Sequence, residues 1–208
     1  MGKIILNGLK YSLYLVFHPF KAFWDLKHEK KGNVYSAGII VFLVFLTFLF
    51  KRQLTGFIFN TNVIENLNIF TLFISIAAVF LIWCVSNWCI TTLVDGEGSF
   101  KDIVICSAYA LTPLVLIQLP LTFISNFLTL DEGMFYTFFV TISIIWAAFL
   151  MLVGIMTVHQ FTMSKTILTV LIAVVGMIII IFLFFLFFAL IQQVINFFLL
   201  IKTEISMR

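Results

Sequence analysis
Apolar residues in this chain gather into several long stretches nearly free of charge. That pattern rules out a water-soluble globule, which could not cover so much apolar surface with so few polar side chains. Apolar residues make up 63% of the 208 positions and charged residues only 10%. Each membrane crossing takes roughly 20 residues, so this length holds one membrane domain and no sizeable soluble one. The expected fold is an all-α, polytopic transmembrane helical bundle.

The N-terminal stretch differs from the rest. Ile4, Ile5, Leu6, Leu9, Leu13, Val16 and Phe17 recur at helical intervals among Lys3, Asn7, Lys10 and Tyr14, which predicts an amphipathic helix. The run is too short to cross and carries Lys10 near its middle, so it is expected to lie in the membrane interface until Pro19 ends or bends it. The same mixture of polar and apolar residues argues for an N-terminus that is retained, not cleaved as a signal peptide. Residues His18 to Asn33 carry Lys21, Asp25, Lys27, Glu29, Lys30 and Lys31 and close at Gly32-Asn33, so they belong in water or at lipid headgroups. Residues 1–33 are thus expected to form a cytoplasmic amphipathic and basic segment, and 34–208 the transmembrane domain.

The first span is expected from about Val34 to Phe50, stopped by Lys51-Arg52, with a polar loop at Asn60, Asn62, Glu65, Asn66 and Asn68 after it. The second runs from about Ile69 to Leu93. A turn dense in glycine and charge follows at Asp95-Gly96-Glu97-Gly98-Ser99-Phe100-Lys101-Asp102, where Ser99 is placed to cap the next helix. The third span, about Ile103 to Leu128, contains Pro113 and Pro120. Each proline removes a backbone donor, which predicts a kink whose freed carbonyls are satisfied by neighbouring helices. The fourth runs from about Met134 to Val158. The last apolar stretch, about Thr166 to Ile201, would be roughly 54 Å long as one helix, beyond a 30 Å hydrocarbon core. Gly176 comes too early for a hairpin turn, and Gln192, Gln193 and Asn196 lie toward the far end. One crossing that emerges and continues along the interface is therefore preferred, giving five spans, with six as the alternative.

Five crossings place the termini on opposite sides. An N-terminus in the cytoplasm puts Lys3, Lys10, Lys21, Lys27, Lys30, Lys31, Lys101 and Lys165 inside and leaves only Lys51, Arg52, Lys202 and Arg208 outside. The positive-inside rule selects that orientation, with the Asp95 and His159 loops cytoplasmic and the C-terminus extracytoplasmic in a multi-pass protein of the cell membrane.

Chemistry is sparse. Ion paths and proton relays use charged side chains inside spans, and the predicted spans hold none. They offer Ser75, Asn87, Ser107, Thr112, Gln118, Ser143 and Thr157, which as weak polar groups join helices more readily than they bind a solute. The three histidines form no HExxH, and no GxSxG serine or Walker lysine stands in context. Gly96-Glu97-Gly98 lacks the strand and remaining glycines of a phosphate loop and is expected to be a tight inter-span turn. Asp95, Glu97, Asp102 and His159 share one face, but without metal-ligand spacing they are expected to be solvated loop groups. Cys84, Cys89 and Cys106 form no CxxC pair and behave as small apolar residues. No catalytic residue, cofactor, metal or nucleic-acid partner is expected. The N-terminal lysines and aromatics, including Lys10, His18, Pro19, Phe20, Lys21, Phe23 and Trp24, are candidates for contact with the anionic headgroups of the bilayer. Packing of the same helix across the mouth of the bundle is the competing reading.

The order of features resembles the Yip family of Ypt/Rab-interacting membrane proteins, in particular its bacterial branch. The matching residues are His18-Pro19-Phe20-Lys21-Ala22-Phe23, the loop Asp95 to Asp102, and Ala108-Tyr109-Ala110-Leu111-Thr112-Pro113. The resemblance covers most of the chain and implies five spans with the N-terminus inside. It also implies an accessory role beside membrane transport machinery. The Asp-Leu-Tyr-Gly-Pro element and long N-terminal region of the eukaryotic members are absent, so small-GTPase binding is not expected. Tyr109 and Pro113 are four apart on one helix face, and the proline leaves the Tyr109 carbonyl without its donor. A kink there is expected to turn the inner half of the span, including Ser107, toward the Asp95 loop. Asp95, Gly96, Glu97, Gly98, Phe100, Lys101, Asp102, Tyr109 and Pro113 are accordingly the candidate partner-binding residues. The functional expectation is a non-enzymatic scaffold or accessory protein for another membrane complex. Its rival is a small-solute or lipid transporter, and a homo-oligomer is compatible with either.

Overall fold
The computed structural model describes residues 2–60 and 68–206, with side chains over 6–60 and 68–203. Asn62, Glu65 and Asn66 of the expected polar loop, the side chains of Lys3, Ile4 and Ile5, and Arg208 lie outside the described residues. Within them the fold is all-helical: α1 (Gly2–Phe17), α2 (Pro19–His28), α3 (Val34–Leu54), α4 (Ile69–Leu93), α5 (Phe100–Ala110), α6 (Thr112–Ile124), α7 (Gly133–His159) and α8 (Met163–Ser206). Five stretches are long and apolar enough to cross a membrane, namely α3, α4, α5 with α6, α7 and α8. The bundle therefore has a Gly-rich end, holding the 94–99 loop and the turn after His159, and a far end near Leu54 and Ile124.

Local chemistry explains where several helices start. Asn33 accepts from the Tyr35 N–H (3.1 Å), and Asn68 accepts from Phe70 (3.0 Å) and Thr71 (3.2 Å), satisfying donors that a helix N-terminus leaves open. Ser99 and Asp102 form a full capping box on α5. At the far end the Gly56 N–H donates to Ser125 Oγ (2.9 Å), and Asn126 Nδ2 donates to the Leu54 carbonyl (2.8 Å), tying α3 to α6.

The third span breaks at Leu111, and Pro113 sits in the first turn of the new helix. The carbonyl it strips of a donor, that of Tyr109, accepts from Thr112 Oγ1 at 2.7 Å. Satisfaction there is local, by the adjoining turn, and not by a neighbouring helix as the sequence led us to expect. Pro120 lies inside α6 without dividing it.

The N-terminal helices pack on the bundle, as the competing reading of the segment had it. α1 packs against α2 and α3. It descends into the bundle, turns at His18-Pro19, and returns as α2. Phe23 abuts Gly154 of α7, the Phe20 ring stands edge-on to Phe149 (6.5 Å between centroids), and Trp146 Nε1 donates to the Val16 carbonyl (3.3 Å). Trp146 precedes the end of α7 by about 20 Å of helix, so the turn of this hairpin is about that deep. Tyr11 Oη donates to the Ala22 carbonyl (2.8 Å) and braces the two arms. Leu15, Val16, Ala22, Phe23 and Leu26 join Ile40, Tyr109 and Leu150 in one core.

α8 is one unbroken helix of 44 residues, about 66 Å long. It runs antiparallel to α4: Lys165 meets Val94 and Ser86 Oγ donates to the Ala173 carbonyl (2.6 Å). Continuing that register brings the α4 start at Ile69 level with about residue 191 of α8. The residues after Gln192-Gln193 extend past α4 in the same helix, in keeping with one crossing that emerges from the bundle.

Candidate functional site
The loop from Val94 to Ser99 is held on the Gly-rich end by three separate tethers. Lys165 Nζ donates to the Val94 carbonyl (2.9 Å) and stands 4.2 Å over the Phe161 ring. Lys27 of α2 pairs with Glu97 (2.9 Å). The Gly98 N–H donates to Nδ1 of His159 (3.2 Å), whose ring is buried and stacked on Phe161. The glycines are required by that ring. A Cβ on Gly96 would stand 2.5 Å from His159 Nδ1, and one on Gly98 2.7 Å from its Cε1. Asp95 turns the chain with φ 55, a conformation that short polar side chains tolerate. Trp88 meets Phe100 edge to face (5.7 Å), extending the brace to α4.

These tethers divide the candidate partner-binding residues. Asp95, Glu97, Phe100 and Lys101 are exposed on the Gly-rich end, with Gly96 and Gly98 half-buried beneath them. Asp102 is occupied as the cap of α5, its Oδ2 accepting from Ser99 Oγ (2.6 Å) and from the Ser99 N–H (3.1 Å). Tyr109 and Pro113 lie inside the bundle and are withdrawn from any partner. The Tyr109 ring is 0% exposed, and its hydroxyl points to Gly8 and Ser36. Ser107 is likewise buried, accepting from Trp83 Nε1 (3.1 Å), so the kink does not turn it toward the loop.

The interface residues divide in a similar way. Lys10, His18, Phe20, Lys21 and Trp24 are exposed, with Pro19 half-buried at the turn of the hairpin. Phe23 is 0% exposed and belongs to the core, because Gly154 leaves a hollow for its ring. Below the hairpin, Lys31 is held by Glu29 (2.5 Å) and Asp25 (3.1 Å), and these two carboxylates raise its ammonium above the usual lysine range. A polar pocket of about 430 Å³ opens there between Asn7, Tyr11, Lys30 and Asn33.

Some polar groups inside the spans join helices, whereas Ser75, Thr112 and Thr157 donate to carbonyls three or four residues back in their own span. Ser86 bonds α4 to α8, Trp83 and Ser107 bond α4 to α5, and Gln118 Nε2 donates to Ser143 Oγ (2.8 Å) between α6 and α7. The Asn87 amide and Nε2 of His159 are buried without a protein partner. One charge does reach into the bundle, against expectation. α3 continues past Phe50, and Lys51 Nζ donates inward to Gln118 Oε1 (3.2 Å). In the sequence Lys27, Lys51 and Lys165 serve only to set orientation and span ends, and their contacts with Glu97, Gln118 and Val94 are not foreseen. Lys51 is expected only to stop the first span, Lys27 lies in the charged segment before it, and Lys165 directly precedes the last apolar stretch, so no local signal points to their partners. Three cavities in the membrane part have almost wholly apolar walls, and of the polar residues expected in the spans Ser75 and Gln118 line them.

A family model described as the Yip1 domain matches residues 13–199. No curated protein and no solved structure matches the chain.

Proposed function
This chain belongs to the Yip1 domain family, and we propose that it acts, without chemistry of its own, as a scaffold or accessory subunit for another membrane component such as a transporter. One observation carries this reading: a loop fixed by Lys27, His159 and Lys165 presents Asp95, Phe100 and Lys101 at the surface of the Gly-rich end. A loop ordered before binding loses less conformational entropy on docking, which is the physical advantage of a scaffold. The loop groups best suited to acid–base work are already engaged, Asp102 as a helix cap and His159 as the acceptor for Gly98. The lysine distribution supports an N-terminus and loop in the cytoplasm of a multi-pass cell-membrane protein.

The test is photo-crosslinking in native membranes, with a photoreactive residue in place of Phe100 or Lys101 and, as control, Phe70 on the far half of α4. Discrete protein adducts from the loop positions and none from Phe70 are expected. Lipid adducts alone at all three positions would remove the scaffold reading.

A further inference from the structure
Two adjoining cavities of about 350 and 410 Å³ lie where the α4–α8 pair meets α3, α6 and α7. They share the walls Phe48, Trp83, Leu111, Leu114 and Met151, and each has the size of an ordinary ligand pocket. Leu111, where the third span breaks, lines both cavities with Trp83 and Met151. The lining is apolar apart from Ser75, whose hydroxyl donates to the Thr71 carbonyl, and from Lys51 and Gln118, which face the smaller cavity at the far end.

Lys51 is the informative residue. It lies in the last turn of α3, close enough to the far end to extend its ammonium outward to water, as lysines near helix ends do. Instead it turns inward to Gln118 Oε1, a neutral acceptor that is itself buried. Among the described residues no carboxylate pairs with it. A cation held at the head of an apolar cleft is complementary to an anion carried on a hydrocarbon chain. The lengths agree as well. From Lys51 to Val41, the deepest α3 residue of the larger cavity, is about 15 Å of helix, and one leaflet of a 30 Å hydrocarbon core is about 15 Å thick.

We propose that this cleft binds one acyl chain of an anionic phospholipid from the far leaflet, with the phosphate on Lys51 and the chain lying against Phe48, Trp83, Leu114 and Met151. Gln118, fixed by Ser143, orients the ammonium as a positioning residue. The site is separate from the loop at the Gly-rich end and does not depend on what docks there.

The experiment uses the full-length protein purified in detergent. Phosphatidylglycerol and phosphatidylcholine with identical chains are added, and bound lipid is counted by native mass spectrometry. Phosphatidylglycerol is expected to be retained about tenfold more than phosphatidylcholine, the order expected for one charge-assisted hydrogen bond. Lys51→Gln removes that preference and Lys51→Arg keeps it. Leu114→Trp, which fills the cleft, lowers retention of both lipids, while Arg52→Gln, at the exposed neighbouring cation, changes neither. Equal retention of the two lipids by the unaltered protein overturns the proposal, as does equal loss in Lys51→Gln and Arg52→Gln. Should Lys51→Gln fail to fold, unchanged phosphatidylglycerol retention by Leu114→Trp overturns it on its own.

Discussion
His159 and the two glycines beside it show how one residue can fix a surface loop from the far side of the sequence. The imidazole is buried between α7 and the loop, and the loop backbone approaches it too closely for any side chain. Gly98→Ala places a methyl 2.6 Å from Val158 Cγ1 and 2.7 Å from His159 Cε1, neither of which ends a long flexible chain. Overpacking of this kind costs about 1–3 kcal/mol. Gly38, in the interior of α3 with nothing within 4 Å of its would-be Cβ, is the matched control: Gly38→Ala leaves stability unchanged or raises it by up to about 1 kcal/mol. Thermal unfolding of both variants in one detergent checks the pair, and equal effects would mean that the loop is not seated on His159. The Ser99–Asp102 cap was legible in the sequence because both halves lie three residues apart. The role of Gly98 was not, because its partner is 61 positions away and only the fold brings the two together.

Elements were legible according to how far their cause lies along the chain. Asn33, Asn68 and Ser99 start helices by local hydrogen bonds, and Pro113 divides a span through its own missing donor, so breaks and starts could be read directly. The α1–α2 hairpin could not. An apolar face at helical spacing states that Leu15 and Val16 leave water, but lipid and protein accept them equally well. The deciding feature is a small residue elsewhere: Gly154 opens the hollow that Phe23 fills, beside Cys106. This arrangement is testable by single cysteines in a background lacking Cys84, Cys89 and Cys106. Phe17→Cys and Phe20→Cys, exposed near the turn of the hairpin, should react with a lipid-soluble maleimide and resist a water-soluble one applied from either side. Lys30→Cys, at the mouth of the hairpin, should react with both. Water-soluble labelling at Phe17→Cys would return α1 to the interface.

At the scale of the whole molecule, the bundle is asymmetric. The Gly-rich end carries the ion pairs and the open end of the hairpin, and α8 extends beyond the start of α4 at the far end. Span count followed from apolar run lengths, since a hydrocarbon slab imposes one length on every crossing helix. The length of α8 exceeds that rule, and Gln192-Gln193 mark the depth at which the crossing ends, level with the Asn68 cap of α4. Among the described residues none of α8 after Ala173 is buried, and Ile195, Phe197, Phe198, Leu199 and Leu200 are more than half exposed. The segment beyond Gln193 therefore adds no packing to the folded bundle. A chain ending at Gln193 should unfold at the same temperature as the full chain in detergent, within about 0.5 kcal/mol, the usual range for changes away from packed features. A chain ending at Lys165 should not fold, because it loses Thr166, Thr169 and Ala173, the buried residues by which α8 packs in the bundle. A lower unfolding temperature for the chain ending at Gln193 would show that the emergent helix folds back onto the bundle, and the straight antiparallel register of α4 with α8 would have to be abandoned.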